Sequence, residues 1–230
     1  CSITGFGTDG PYAKRGGFDL IAQGMSGLMS ITGHPDSPPA KVGVPIADLN
    51  TGMFAMQGIL SAYIHRLKNN EGQNLEVSLL ESALAYTMYE SSIFFTTGRI
   101  SSPDGSAHRL TAPYQAFKTK DGYINIGAAN QSNWERLLTV LNLENLKDDP
   151  EFIDSKSRQI NRKKLENILE VIFITKSSKE WIDILIKNSI PSGPIYNMKE
   201  VWDDEQVKSR NMDVRIDHPK QKNSRNIGVA

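Results

Sequence analysis

KVGVPIADLNTGMFAMQG, residues 41–58, changes its periodicity part-way, and that change decides how the first hundred residues are read. Pro45 biases Val44 toward an extended conformation. From Thr51 onward Met53, Met56, Leu60, Tyr63, Ile64 and Leu67 recur at helical spacing, so an extended segment runs into a long helix with Asp48 at the junction. A carboxylate there faces unpaired backbone N–H groups and the positive end of the helix dipole, which stabilise an anion, and an ionised carboxylate is a nucleophile. An aspartate just before a helix is also a common N-cap, and spacing alone favours that plainer role.

Upstream, Phe18–Ser30 places Leu20, Ile21, Met25, Leu28 and Met29 on one broad stripe, with Ala22, Gly24, Ser26 and Gly27 allowing close contact, so one buried helix is expected. Ahead of it, a short strand enters a turn containing Gly5, Gly7 and Gly10. Gly5 and Gly7 supply only half of a dinucleotide fingerprint, and a plain glycine turn is the better reading. Downstream, the long helix ends near Gly72. Leu75, Val77 and Leu79 alternate with polar residues as in a strand, and Ser78 with Glu81 forms a capping box opening a second long helix that closes at Gly98. Strands alternating with helices indicate an α/β layer.

Residues 101–113 are polar and hold Pro103 and Gly105, as in a linker. Tyr114–Thr119 and Tyr123–Gly127 flank Lys120-Asp121-Gly122 and read as a hairpin. Ser132 with Glu135 and Ser177 with Glu180 are further capping boxes, and between them Leu165, Ile168, Leu169 and Ile172 share one helix face. This half is a small α+β unit. Its basic run KSRQINRKK reads as a solvated face because no aromatic residue interleaves the charges. Met198–Met212 reads as a polar helix and Asp213–His218 as an edge strand.

Composition removes several function classes. The 26 basic residues balance the 26 acidic ones, so no net field would hold nucleic acid or an anionic membrane. One cysteine precludes an intrachain disulfide, and His34, His65, His108 and His218 are too scattered for a metal site, so none is expected. A reducing, intracellular compartment fits, cytoplasmic or the mitochondrial matrix. No apolar run reaches the ~18 residues of a membrane span. The abrupt CSITGFG start and the uncapped KNSRNIGVA end are those expected of an internal piece of a longer chain.

Four blocks carry a family resemblance: SITGFGTDGPYAKRGGFDLIAQGMSGLMSITG (2–33), KVGVPIADLNTGM (41–53), APYQAFKTKDGYI (112–124) and IPSGPIYNMKEV (190–201). In this order they resemble the class III coenzyme A transferases, of the formyl-CoA and carnitine type. PYQAFKTKDGYI and GPIYNMK are most similar to the succinyl-CoA:glutarate transferases. The resemblance implies an α/β fold with part of a Rossmann-like large domain over 1–100, a linker over 101–113, a small α+β domain over 114–197 and a return segment over 198–230. It implies interlocked homodimers, an active site where the two domains meet, and no resident cofactor, coenzyme A being a substrate.

The resemblance makes Asp48 the nucleophile that carries coenzyme A between an acyl-CoA and a free carboxylic acid. It assigns coenzyme A contacts to Gly16, Gly17, Phe18 and Asp19. Gly16 stands where the formyl-CoA enzyme has a lysine, so Lys14 or Arg15 would approach the phosphates instead. HRLTAP, His108–Pro113, occupies the place of a glycine-rich closing loop but lacks the glycines; Thr111 and Ala112 lie in the comparable stretch. Short dicarboxylates are the implied substrates, with His108 or Arg109 receiving the second carboxylate. The superfamily's racemases carry a histidine where Phe18 stands here, and phenylalanine moves no proton, so transfer is expected rather than racemisation. A non-catalytic CoA-binding protein is the other alternative; it would tolerate Asp48→Asn.

Overall fold

The computed structural model describes residues 1–228. Val229 and Ala230, the end of KNSRNIGVA, lie outside the described residues. The chain forms two compact units, Cys1–Ser106 and a second from Ala107 onward. It is a mixed α/β protein.

In the first unit, β1 (Ser2–Thr4) and β2 (Glu76–Ser78) pair in parallel, Ser2 opposite Glu76 and Thr4 opposite Ser78. Parallel neighbours need a long crossover. Here it holds α1 (Asp19–Met25), α2 (Leu28–Ile31) and α3 (Ile46–Asn69). After β2 come α4 (Leu79–Leu84), a 3₁₀ turn over Ala85–Thr87 and α5 (Met88–Thr97), which ends on Gly98 at φ 70°. The core is thin: Ala22, Leu28, Ala47 and Ala83 are buried against Ile31, Ile46 and Leu79. Small side chains at these contacts let α1, α3 and α4 approach closely.

Three expectations are corrected here. The single helix over Phe18–Ser30 is broken at Gly27, whose φ of 86° an α-helix cannot accommodate, and its buried residues are Ala22, Gln23, Ser26 and Leu28 rather than the Leu20, Ile21 and Met25 stripe. α3 begins at Ile46, not after Asp48, and residues 41–45 just before it form no strand. Its apolar residues Met53, Met56, Leu60, Tyr63, Ile64 and Leu67 are exposed, while Ala47, Thr51 and Ala55 face inward. The helix predicted after Ser78 is also interrupted, where the Thr87 hydroxyl donates to the Leu84 carbonyl at 2.9 Å.

The second unit starts with the expected hairpin, β3 (Tyr114–Lys118) against β4 (Tyr123–Gly127), Tyr114 opposite Gly127 and Lys118 opposite Tyr123. Helices α6 (Gln131–Leu141), α7 (Ser155–Ile160), α8 (Arg162–Phe173) and α9 (Ser178–Lys187) follow. Then β5 (Ser192–Pro194) joins the free edge of β4. As an edge strand it tolerates Pro194, which cannot donate to a ladder. Phe117, Trp134, Leu138, Leu169, Phe173 and Leu185 centre its core, with the Phe173 ring 5.2 Å from Phe117 and 5.1 Å from Trp181. The Ser177–Glu180 capping box is present. The Ser132–Glu135 box is not: Asn130 caps α6 through the Asn133 N–H, and Ser132 sits inside the helix. The expected polar helix is two, α10 (Met198–Asp203) and α11 (Glu205–Ser209), separated by Asp204, and β6 (Asp213–His218) pairs with β7 (Gln221–Ile227).

Candidate active site

Asp48 occupies the third position of α3, inside its first turn, and is exposed. It is not the cap of this helix. That role falls to Asp19 on α1, whose Oδ1 accepts the Ala47 N–H at 2.9 Å across 28 residues of sequence. Gln23, one turn further along α1 and fully buried, holds the arrangement. Its amide donates to Asp19 Oδ2 at 2.7 Å, and its carbonyl accepts the Val42 N–H at 2.9 Å. One carboxylate thus satisfies the helix end while a second, one residue beyond Ala47, accepts no hydrogen bond among the described residues. Asp48 thus stands beside a helix N-terminus with no hydrogen-bond donor to its side chain among the described residues.

It lines a cavity of about 380 Å³ together with Gly5, Gly17, Gly52, Thr51 and the side chains of Ile3 and Leu79. Two of these glycines are required by backbone contact: a Cβ on Gly17 would lie 2.7 Å from the Gly5 Cα, and one on Gly5 2.9 Å from the Gly17 Cα. Gly5 is therefore the plain turn expected, serving close approach. Thr51 is buried, its hydroxyl donating to the Ala47 carbonyl at 2.7 Å.

The other predicted contact residues fall as follows. Gly16 is exposed with open space above it, and Phe18 is 78% exposed. Arg15 stacks over Tyr12 at 4.5 Å and Phe6 at 5.3 Å, which fixes its guanidinium by cation–π attraction. Lys14 is exposed.

His108, Arg109, Thr111 and Ala112 belong to the second unit and form a loop with its own support. The His108 Nδ1 accepts the Leu110 N–H at 3.1 Å and lies 3.2 Å from the Thr111 hydroxyl. From α7, Gln159 donates to the Arg109 carbonyl at 2.9 Å and Arg158 Nε to the Ala112 carbonyl at 2.9 Å. Arg158 corrects the solvated reading of KSRQINRKK. Its guanidinium is fully buried, bonded also to the Phe152 and Ala129 carbonyls and Gln131 Oε1, each at 3.1 Å, and stacked 5.1 Å from the Trp134 ring. Burial pulls it below the usual arginine value, against the opposing charge of Asp154. Lys163 and Lys164 of the same run do face solvent, paired with Glu166 and Glu151. No sequence signal separated Arg158 from them.

The chain matches the model of CoA-transferase family III over residues 1–230. It belongs to that family. This family III chain is 34% identical over 217 residues to a succinate–glutarate CoA-transferase of Agrobacterium fabrum, and 37% identical over 219 residues to a succinyl-CoA:glutarate CoA-transferase of Mus musculus. Those alignments take 94% and 95% of this chain but 54% and 50% of the relatives, so the family III chain spans about half the length of the curated relatives it matches. A crystal structure of a CaiB/BaiF family protein from Brucella suis superposes with a TM-score of 0.79 at 33% identity, over 100% of this chain and 64% of the other. Among the described residues, no His, Cys, Asp and Glu group suited to a metal ion occurs, and no helix is long and apolar enough to cross a membrane.

Proposed function

We propose that the intact protein containing this chain transfers coenzyme A between an acyl-CoA thioester and a free carboxylic acid, through a covalent intermediate on Asp48. The observation that supports it is the division of labour at α3: Asp19 caps the helix, and Asp48 stands beside it in a cavity, exposed and without a hydrogen-bond donor among the described residues.

In the proposed cycle a carboxylate oxygen of Asp48 attacks the thioester carbon, and the C–S bond breaks to release the coenzyme A thiolate. The product is a mixed anhydride. The thiolate attacks the Asp48 carbonyl carbon, expels the first acid as its carboxylate and leaves an aspartyl-CoA thioester. The acceptor carboxylate runs the same steps in reverse and restores Asp48. Charge and atoms balance throughout, and no resident cofactor is needed.

The named activities of the Agrobacterium and mouse relatives favour short dicarboxylates as substrates. From the family resemblance we assign Gly16, Gly17, Phe18, Asp19, Lys14 and Arg15 to coenzyme A and His108, Arg109, Thr111 and Ala112 to the acid. The proposed acyl-CoA substrates support a location inside the cell. The same resemblance, with the exposed apolar face of α3, supports an interlocked homodimer.

The test is full-length protein incubated with succinyl-CoA and, in turn, glutarate, oxalate, carnitine or a monocarboxylate. Transfer to a dicarboxylate, hydroxylamine modification at Asp48 after acyl-CoA addition, and a loss of roughly 10³-fold or more in Asp48→Asn are expected. Undiminished transfer by Asp48→Asn would remove Asp48 as nucleophile, and preference for the monocarboxylate would remove the substrate class.

A further inference from the structure

We infer that Gly52 opens a slot on α3 for the acyl group of the thioester and sets how large that group can be; this deepens the transferase reading and rests on it. Three glycines line the cavity beside Asp48. Gly5 and Gly17 are accounted for by their own backbone contact. Gly52 is not. A Cβ built there meets no atom within 4 Å beyond its chain neighbours and the backbone of its own helical turns, and its backbone is helical. Glycine inside a helix is intrinsically less favourable than alanine, so nothing in the packing of this chain explains a bare position there.

Its place explains it. Gly52 lies four residues after Asp48, one turn along the same face, so the open space above it adjoins the reacting carboxylate. The cavity opens widely to the surface, and the part of its wall nearest Asp48 is fixed. Thr51 is buried and tied to the Ala47 carbonyl, and Gly5 and Gly17 are in backbone contact, so a group added at Gly52 would take up space that neither of these walls can give back. Its roughly 380 Å³ is at the small end of ligand sites, too little for the nucleotide and pantetheine of coenzyme A but suited to a short acyl chain. Ile3 and Leu79 supply apolar wall for its methylenes. A thioester carbonyl at attack distance from Asp48 then directs its acyl carbons over Gly52.

The experiment uses full-length protein carrying Gly52→Ala and Gly52→Val, with acetyl-CoA, succinyl-CoA and glutaryl-CoA as donors to one common acceptor, and Asp48→Asn in parallel. Gly52→Ala is expected to fold with an unchanged or slightly raised melting temperature. It should lose about 10-fold or more in kcat/KM for succinyl-CoA and glutaryl-CoA while acetyl-CoA changes less than about 3-fold, since one methyl group in a pocket discriminates by about 10–200-fold. Gly52→Val should widen the split. Equal losses for all three donors, or none, would overturn the slot while leaving the transferase reading intact. Failure of Gly52→Ala to fold would also overturn it, by showing that protein rather than substrate fills the space. Transfer that persists in Asp48→Asn, or is absent from the wild type, would instead fail the underlying reading and the slot with it.

Discussion

At the scale of the residue, position in the sequence and position in space diverge most for charged side chains. For Asp48 the sequence leaves two roles, helix cap or reacting group, and the IADLNTG resemblance implies the second. That Asp19 would take the competing role of cap was not legible, since the bond spans 28 residues and depends on α1 packing against α3. Arg158 is the sharper case. Inside a basic run it looks like its solvated neighbours, yet it is the one whose guanidinium makes four hydrogen bonds, to three carbonyls and an amide oxygen. Lysine cannot reproduce that fork from a single ammonium. Arg158→Lys should therefore cost about 2–4 kcal/mol by leaving buried carbonyls unpaired, measured by urea denaturation. A cost below about 0.5 kcal/mol would show that the fork is dispensable.

At the scale of the element, strands, hairpin and amphipathic helices of the second unit were legible because their faces are buried by the same stretch of chain, so period and burial agree. Leu165 and Leu169 illustrate this; both are predicted inward and both are fully buried. Helix ends were legible only where the capping side chain has no rival. Ser177 and Glu180 form their box, but Ser132 is bypassed because Asn130, two residues earlier, reaches the Asn133 N–H first. The caps also carry a pH signature. The Ser157 N–H holds Asp154 below its ordinary value, the Val207 N–H does so for Asp204, and Ser177 does so for Glu180. A carboxylate whose value is depressed on folding contributes stability that is complete above its unfolded value and is lost as pH falls through the folded one. The melting temperature should thus be level from pH 7 to about 5 and decline below about 4.5. Asp154→Asn combined with Asp204→Asn keeps the capping oxygens but removes two titrations, so its acid limb should be shallower; an identical limb would count against the caps.

At the scale of the whole molecule, the first unit shows what its own residues leave undone. α3 is 24 residues long, yet only Ala47, Thr51 and Ala55 of it are buried, and Leu60, Tyr63 and Leu67 are 53%, 58% and 68% exposed. Phe95 on α5 is 82% exposed. The helical spacing read from the sequence is that of α3, and its apolar residues are exposed, because periodicity identifies a face that favours burial without saying which chain covers it. A continuous exposed apolar face of this kind marks an interaction surface. The curated relatives are about twice as long as this chain, and family resemblance implies an interlocked dimer, so residues outside the present 230 and a second copy are the proposed cover. The 230-residue chain by itself is then expected to self-associate through α3, with light scattering giving masses above the 25.5 kDa monomer and Leu60→Glu with Leu67→Glu reducing them. In full-length protein the same two substitutions should break a defined dimer or prevent its folding, because there the face is already occupied. A full-length protein that is monomeric, or that keeps its dimer and stability with both glutamates in place, would refute the interlocked arrangement while leaving the chemistry at Asp48 to be judged on its own test.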